Sequence, residues 1–172
     1  MDVMLDLETL GTSSDSVVLA VGAVEFSEAG IGRTFYEVID PQTCVDAGLR
    51  IDASTVMWWM QQSDEARAGV CRAGLPLDVV LRYFREWLPQ GAPVWGNGAT
   101  FDNVIWGNAY RKLGESQPWA FYNDRCYRTL KNLHPNVPFT KPTIAHNALE
   151  DALAQARHAV SILYTGQPNA GV

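Results

Sequence analysis

The chain has 172 residues, enough for one hydrophobic core. With 47% apolar and 19% charged residues it reads as globular, and thirteen basic against nineteen acidic residues give a net charge of −6. That balance argues against holding nucleic acid by bulk positive charge.

Other classes are excluded by the same count. Cys44, Cys71 and Cys126 form no C-x-x-C pair, so they read as reduced thiols of a cytoplasmic protein rather than zinc ligands or a disulfide framework. The first residues, MDVMLDLETLG, lack a basic stretch and are interrupted by Asp2, Asp6 and Glu8, unlike a signal peptide. No apolar run approaches the ~18 residues that a membrane span needs, so no membrane partner is expected.

In chain order, Val3 to Glu8 reads as a strand. Gly11 to Asp15 is a turn cluster, and Ser16 to Phe26 is a β-branched, apolar second strand. Arg33 to Ile39 alternates as a third strand stopped by Pro41, so the chain opens as an antiparallel meander. Ser54 is placed to cap a helix over Thr55–Gln62, and Ser63 opens a second short run, SDEARAGVC. Pro76 suits the first turn of a helix reaching Leu88, with Val79, Val80, Phe84 and Leu88 as its apolar stripe. Pro93 to Trp95 is a brief strand. Phe101–Leu113 reads as a helix ended by Gly114, and Asp124–Leu133 as another ended before Pro135. Asn136 to Ile144 is a proline-containing loop, and a last helix runs from about Ala145 to Tyr164, ending at Gly166. Three strands followed by mixed helix and strand predict an α/β fold with a mixed sheet.

Three features carry chemistry. Asp6 and Glu8 interrupt an apolar strand, and a period of two puts both on one face, with Leu5 and Leu7 on the other. Adjacent carboxylates repel unless neutralised, and a hard divalent cation prefers such oxygens; a solvated edge strand would carry the same motif. Asp102 follows a glycine-rich turn at a helix start, where free N–H groups suit an anion, with Phe101 beside it. His146 and Asp151 lie five residues apart. Mid-helix they would point about 140° apart, so they converge only if His146 sits at or before the first turn. His134 and His158 have no such setting.

The order of these features resembles the DEDDh 3′→5′ exonucleases of the ribonuclease H-like superfamily. Over nearly the full length, the segments DLETLG, WWMQQ, VWGNGATFDN, NDRCYRT and AHNALEDA are most similar to the small phage- and prophage-type exonuclease/exoribonuclease branch. The resemblance implies a single ribonuclease H-like exonuclease domain over 1–172, with helices flanking the sheet in three layers. It implies that Asp6, Glu8, Asp102 and Asp151 hold two Mg²⁺ or Mn²⁺ ions, Asp6 bridging, and that His146 is general base. The implied substrate is the 3′ end of single-stranded RNA or DNA, cut to nucleoside 5′-monophosphates, and a homodimer is an implied assembly. A catalytically silent binding or proofreading-accessory module would lack one of these five residues, and none is missing.

For the substrate, the turn Thr9–Leu10–Gly11 contacts the terminal sugar in that family, with Leu10 as a wedge. Trp58 and Trp59 point about 100° apart on a helix, so one is expected to face a cleft, where base stacking contributes about 1–3 kcal/mol. Trp95 and Trp106 read as core. Arg125, Arg128 and Lys131 form a basic stripe on the helix expected over Asp124–Leu133.

Overall fold

The computed structural model describes residues 1–142 and 146–165, without the side chain of Thr165. The expected meander is present: β1 (Asp2–Thr9), β2 (Val18–Ser27) and β3 (Gly30–Val38) pair antiparallel. β4 (Val94–Gly96) adds parallel to β1, and β5 (Asp124–Cys126) adds parallel to β4. The sheet is therefore mixed, in the order β3-β2-β1-β4-β5. Its helices are α1 (Pro41–Asp46), α2 (Ala53–Trp59), α3 (Asp64–Val70), α4 (Leu77–Trp87), α5 (Asp102–Lys112), α6 (Tyr127–Leu133) and α7 (Ala148–Val160). Among the described residues no helix is long and apolar enough to cross a membrane.

Period two sorts β1 into two faces. Val3, Leu5 and Leu7 join Val80, Phe84, Ile105 and Trp106 of α4 and α5 in the larger core cluster. Met4 packs on the other side with Val24, Phe26 and Tyr127 and with Ala152, Ala156 and Ala159 of α7. The result is helices on both faces of the sheet, the three-layer α/β arrangement the resemblance implied.

α7 crosses the sheet closely because β2 carries a glycine there. A Cβ on Gly22 would lie 2.2 Å from the carbonyl carbon of Ala148. Gly22 is the register partner of Asp6. The small residue thus brings the start of α7 over the acidic face of β1.

Several boundaries differ from the sequence expectation. Asp124–Cys126 is strand rather than helix: its backbone takes the free edge of β4, and the Asp124 carboxylate accepts from the indole N–H of Trp119 and the amide of Asn103, both at 2.8 Å. The cap of α2 is Asp52, whose carboxylate accepts from Ser54 N at 2.9 Å, not Ser54 itself. Ser63 does cap α3. Pro41 both stops the strand and starts α1, capped by Asp40, a helix too short for its periodicity to show. β3 begins at Gly30, earlier than Arg33. Pro76 sits at the cap of α4 rather than in its first turn, and that helix buries Leu77, Val80, Leu81 and Phe84, with Val79 only half-buried. α7 opens at Ala148 because Asn147 caps it, accepting from Leu149 N and Glu150 N. The expected start near Ala145, the loop end at Ile144 and the stop at Gly166 lie outside the described residues.

Candidate functional site

The two carboxylates of β1 stand on the face that α7 covers. Asp151, in the first turn of α7, comes down onto them, and oxygens of Asp6, Glu8 and Asp151 lie within 4.8 Å of one another. Asp102 reaches the group from the opposite helix layer. The β1–β4 ladder ends at Leu5–Gly96, and just beyond it Asp102 Oδ1 accepts from the Leu7 N–H at 3.2 Å. Gly96 permits this approach: a Cβ there would meet Asn103 Oδ1 at 2.4 Å and Asp102 Cβ at 3.0 Å. Acids from three distant segments thus approach one place because strand, helix start and last helix converge on it.

Their electrostatics are those of an unneutralised anionic site. Burial, then the charges of Asp102, Glu8 and Asp151, hold Asp6 well above the usual carboxylate range, opposed only by a hydrogen bond from Gln155. Burial and the charges of Asp151 and Asp102 push Glu8 to about 8. Burial pushes Asp102 to about 7 against the N–H groups of Leu7 and Asn97 and the charge of Arg128. Burial also raises Asp151, with His146 pulling the other way. Among the described residues none of the four makes an ion pair with Lys or Arg. An all-oxygen donor set with no basic partner fits hard divalent cations.

His146 meets the geometric condition set by the sequence. It lies two residues before α7, where it approaches Asp151. Its φ of 61° is the one positive value at a non-glycine position among the described residues. Such a conformation costs of order 1–3 kcal/mol and clusters at functional sites. The ring is held edge-on against Trp58, with centroids 4.8 Å apart, and near Trp59 at 6.2 Å.

Next to the acids opens a cleft of about 450 Å³ lined by Glu8, Thr9, Gly11, Trp58, Trp59 and Phe101, among others. The two tryptophans divide the work. Trp59 is 6% exposed and donates its indole N–H to the Thr9 carbonyl at 2.9 Å, whereas Trp58 is 40% exposed. The Thr9 hydroxyl donates to the Gly11 carbonyl at 2.6 Å and tightens the turn after β1. Leu10 instead packs into the core clusters and lines a neighbouring apolar groove. Arg125 is on β5, not on a helix, so the expected stripe with Arg128 and Lys131 is broken. Its guanidinium donates to the carbonyls of Tyr122 and Asp124, while Arg128 donates to the Asn97 carbonyl beside Asp102. Trp106 is core as expected, but Trp95 is only partly buried and its indole donates to Asp2.

Gln155, on the core side of α7, escaped the sequence reading. Its amide donates to Asp6 Oδ1 at 2.8 Å. The available signal was a polar residue four after Asp151 within an alanine-rich, inward-facing stripe.

Residues 1–163 match the family described as the 3′-5′ exoribonuclease Rv2179c-like domain. The chain belongs to this family. It is accordingly a nuclease, a 3′→5′ exonuclease. Solved structures agree in fold. Exonuclease X in complex with 5′ overhanging duplex DNA is 16% identical with a TM-score of 0.59, over 99% of this chain and 95% of that one. Exonuclease I of E. coli with a dA16 oligonucleotide is 17% identical with a TM-score of 0.65, over 98% of this chain and 42% of that one. The nuclease domain of 3′hExo, a DEDDh family member bound to rAMP, is 17% identical with a TM-score of 0.62, over 95% and 92% of the two chains. Among curated protein sequences none matches. This Rv2179c-like chain carries its acids on β1 of the mixed sheet and on the flanking helices α5 and α7.

Proposed function

We propose that this Rv2179c-like domain removes nucleotides from the 3′ end of single-stranded RNA, releasing nucleoside 5′-monophosphates, in a reaction that depends on two Mg²⁺ or Mn²⁺ ions. The observation that supports it is the convergence of Asp6, Glu8, Asp102 and Asp151, none ion-paired with Lys or Arg among the described residues, beside an open aromatic cleft. These four carboxylates would hold the cations. Bound there, the cations would supply Lewis acidity to the attacking water and to the leaving 3′-oxygen.

The chain's own residues supply the rest. The imidazole of His146, outside the first turn of α7 and against Trp58, accepts the proton of the attacking water. Imidazole is the side chain most often used for such proton transfers near neutral pH. Trp58, the more exposed tryptophan, and Phe101 offer flat faces to the terminal bases, a mode that tolerates any sequence. Thr9 and Gly11 line the same cleft, and in this reading they contact the terminal sugar. The family description favours RNA, and DNA is the second reading.

The test is incubation of 3′-overhang RNA and matching DNA with Mg²⁺ or Mn²⁺, resolved at single-nucleotide level. Stepwise 3′ shortening of RNA, abolished by chelator, is expected. Equal rates on DNA would remove the RNA preference, and cleavage in chelator would overturn the metal-dependent reading.

A further inference from the structure

We infer that Gln155 is a positioning residue for the reaction, holding the Asp6 carboxylate in the orientation that receives a divalent cation. The inference deepens the proposed function and rests on Asp6 being a metal ligand.

Asp151 and Gln155 are four residues apart on α7, so they share one face of the helix. Asp151 enters the acidic group, and one turn later Gln155 donates its Nε2–H to Asp6 Oδ1 at 2.8 Å. The close crossing of α7 over Gly22, the register partner of Asp6, sets this reach. Gln155 is 4% exposed and Asp6 half-buried, so the bond is partly shielded from competing water.

The chemistry of an amide suits this position better than its alternatives. A Lys or Arg here would neutralise Asp6 and compete with a cation for the same oxygens. A Glu would add another negative charge to an already repelling group. An aliphatic side chain would leave Asp6 to turn away from its neighbours. The neutral amide donates one hydrogen bond and fixes one carboxylate oxygen, adding no charge. Toward an ionised Asp6, the state in which it would hold a cation, only the N–H end of the amide can face the carboxylate oxygen.

A second observation separates this role from packing. With Nε2 committed to Asp6, Gln155 Oε1 is buried without a hydrogen-bond partner among the described residues. An orphaned buried acceptor is a cost to folding. A methionine would fill a similar volume without it, so burial alone gives no reason for an amide.

The test compares Gln155→Met, with Gln155→Leu as a second apolar variant should the first not fold, against the wild-type chain and Asp6→Ala. Three quantities are read: Mn²⁺ binding to the nucleic-acid-free protein by calorimetry, kcat and KM on single-stranded RNA, and the thermal midpoint in chelator. The expected result is a loss of about tenfold or more in Mn²⁺ affinity or in kcat, with KM and the midpoint close to wild type. Wild-type Mn²⁺ affinity together with wild-type kcat would overturn the inference, as would a lowered midpoint with kcat preserved in the folded fraction. Asp6→Ala distinguishes the two levels. If it is inactive while Gln155→Met is fully active, the positioning role alone falls. If Asp6→Ala is itself active, the metal-ligand reading falls and the inference with it.

Discussion

The two faces of β1 make opposite use of burial. Toward α4 and α5, Val3, Leu5 and Leu7 enter a dry cluster rich in large rings, where Phe84 and Trp106 meet edge-to-face at 5.7 Å. Toward α7, the same strand presents Met4 and then Asp6 and Glu8, under a helix whose buried positions are mostly alanine. The apolar face fixes the strand, and the small residues of the other let a helix descend close enough to add Asp151. Together they hold like charges nearer than solution would allow. One face supplies stability and the other spends some of it, a division common where function strains a fold.

That contrast is open to direct attack. Asp151→Ala should reduce RNA hydrolysis about a thousandfold or more, because several kcal/mol of transition-state stabilisation would depend on the cations. In chelator the same change should raise the thermal midpoint, since it removes a repelling buried charge. Full activity, or a lower midpoint, would break the division of roles. His146→Ala should lower kcat by roughly 10²–10⁴-fold while leaving Mn²⁺ binding by calorimetry near wild type. A comparable loss of binding would make His146 a ligand.

Leu5→Ala, on the dry face, should cost about 2–5 kcal/mol in denaturant unfolding, with the specific activity of the folded fraction retained. Trp58→Ala should raise KM in line with about 1–3 kcal/mol of lost stacking, at unchanged midpoint. Trp59→Ala should destabilise instead, because that ring is buried and holds the Thr9 carbonyl.

A further effect is one of pH. Glu8 has a folded value of about 8 against an ordinary 4.5, and Asp102 about 7 against 3.8. A raised acid favours folding in its protonated form, so its contribution is complete below the unfolded value and lost as pH rises through the folded one. The midpoint of metal-free protein should therefore fall between about pH 4 and pH 8, and added Mn²⁺ should restore most at the alkaline end. A midpoint independent of pH in chelator would show that neither burial nor repulsion raises these acids.

Much of this was legible beforehand where a period carried it. The alternation in MLDLE put Asp6 and Glu8 on one face, and the β-branched run behind it made β2. The spacing of His146 and Asp151 required the histidine to precede the helix, and the capping side chain of Asn147 places it there. Short pieces were not legible. Three residues of β5 carry no readable alternation, and only the free edge of β4 and the anchored Asp124 make them extended. Arg125 consequently left the helix on which it was expected.

By itself, then, the sequence determined the mixed α/β layout, the acids and their order, since strand and helix periods depend on neighbours a few residues away. The tertiary structure alone decided which tryptophan is exposed, that a half-buried Leu10 packs against the core clusters, and that Gln155 meets Asp6. Those outcomes depend on how closely separate elements cross. Here that distance is set by the missing side chains of Gly22 and Gly96, opposite backbone and carboxylate that no local pattern announces.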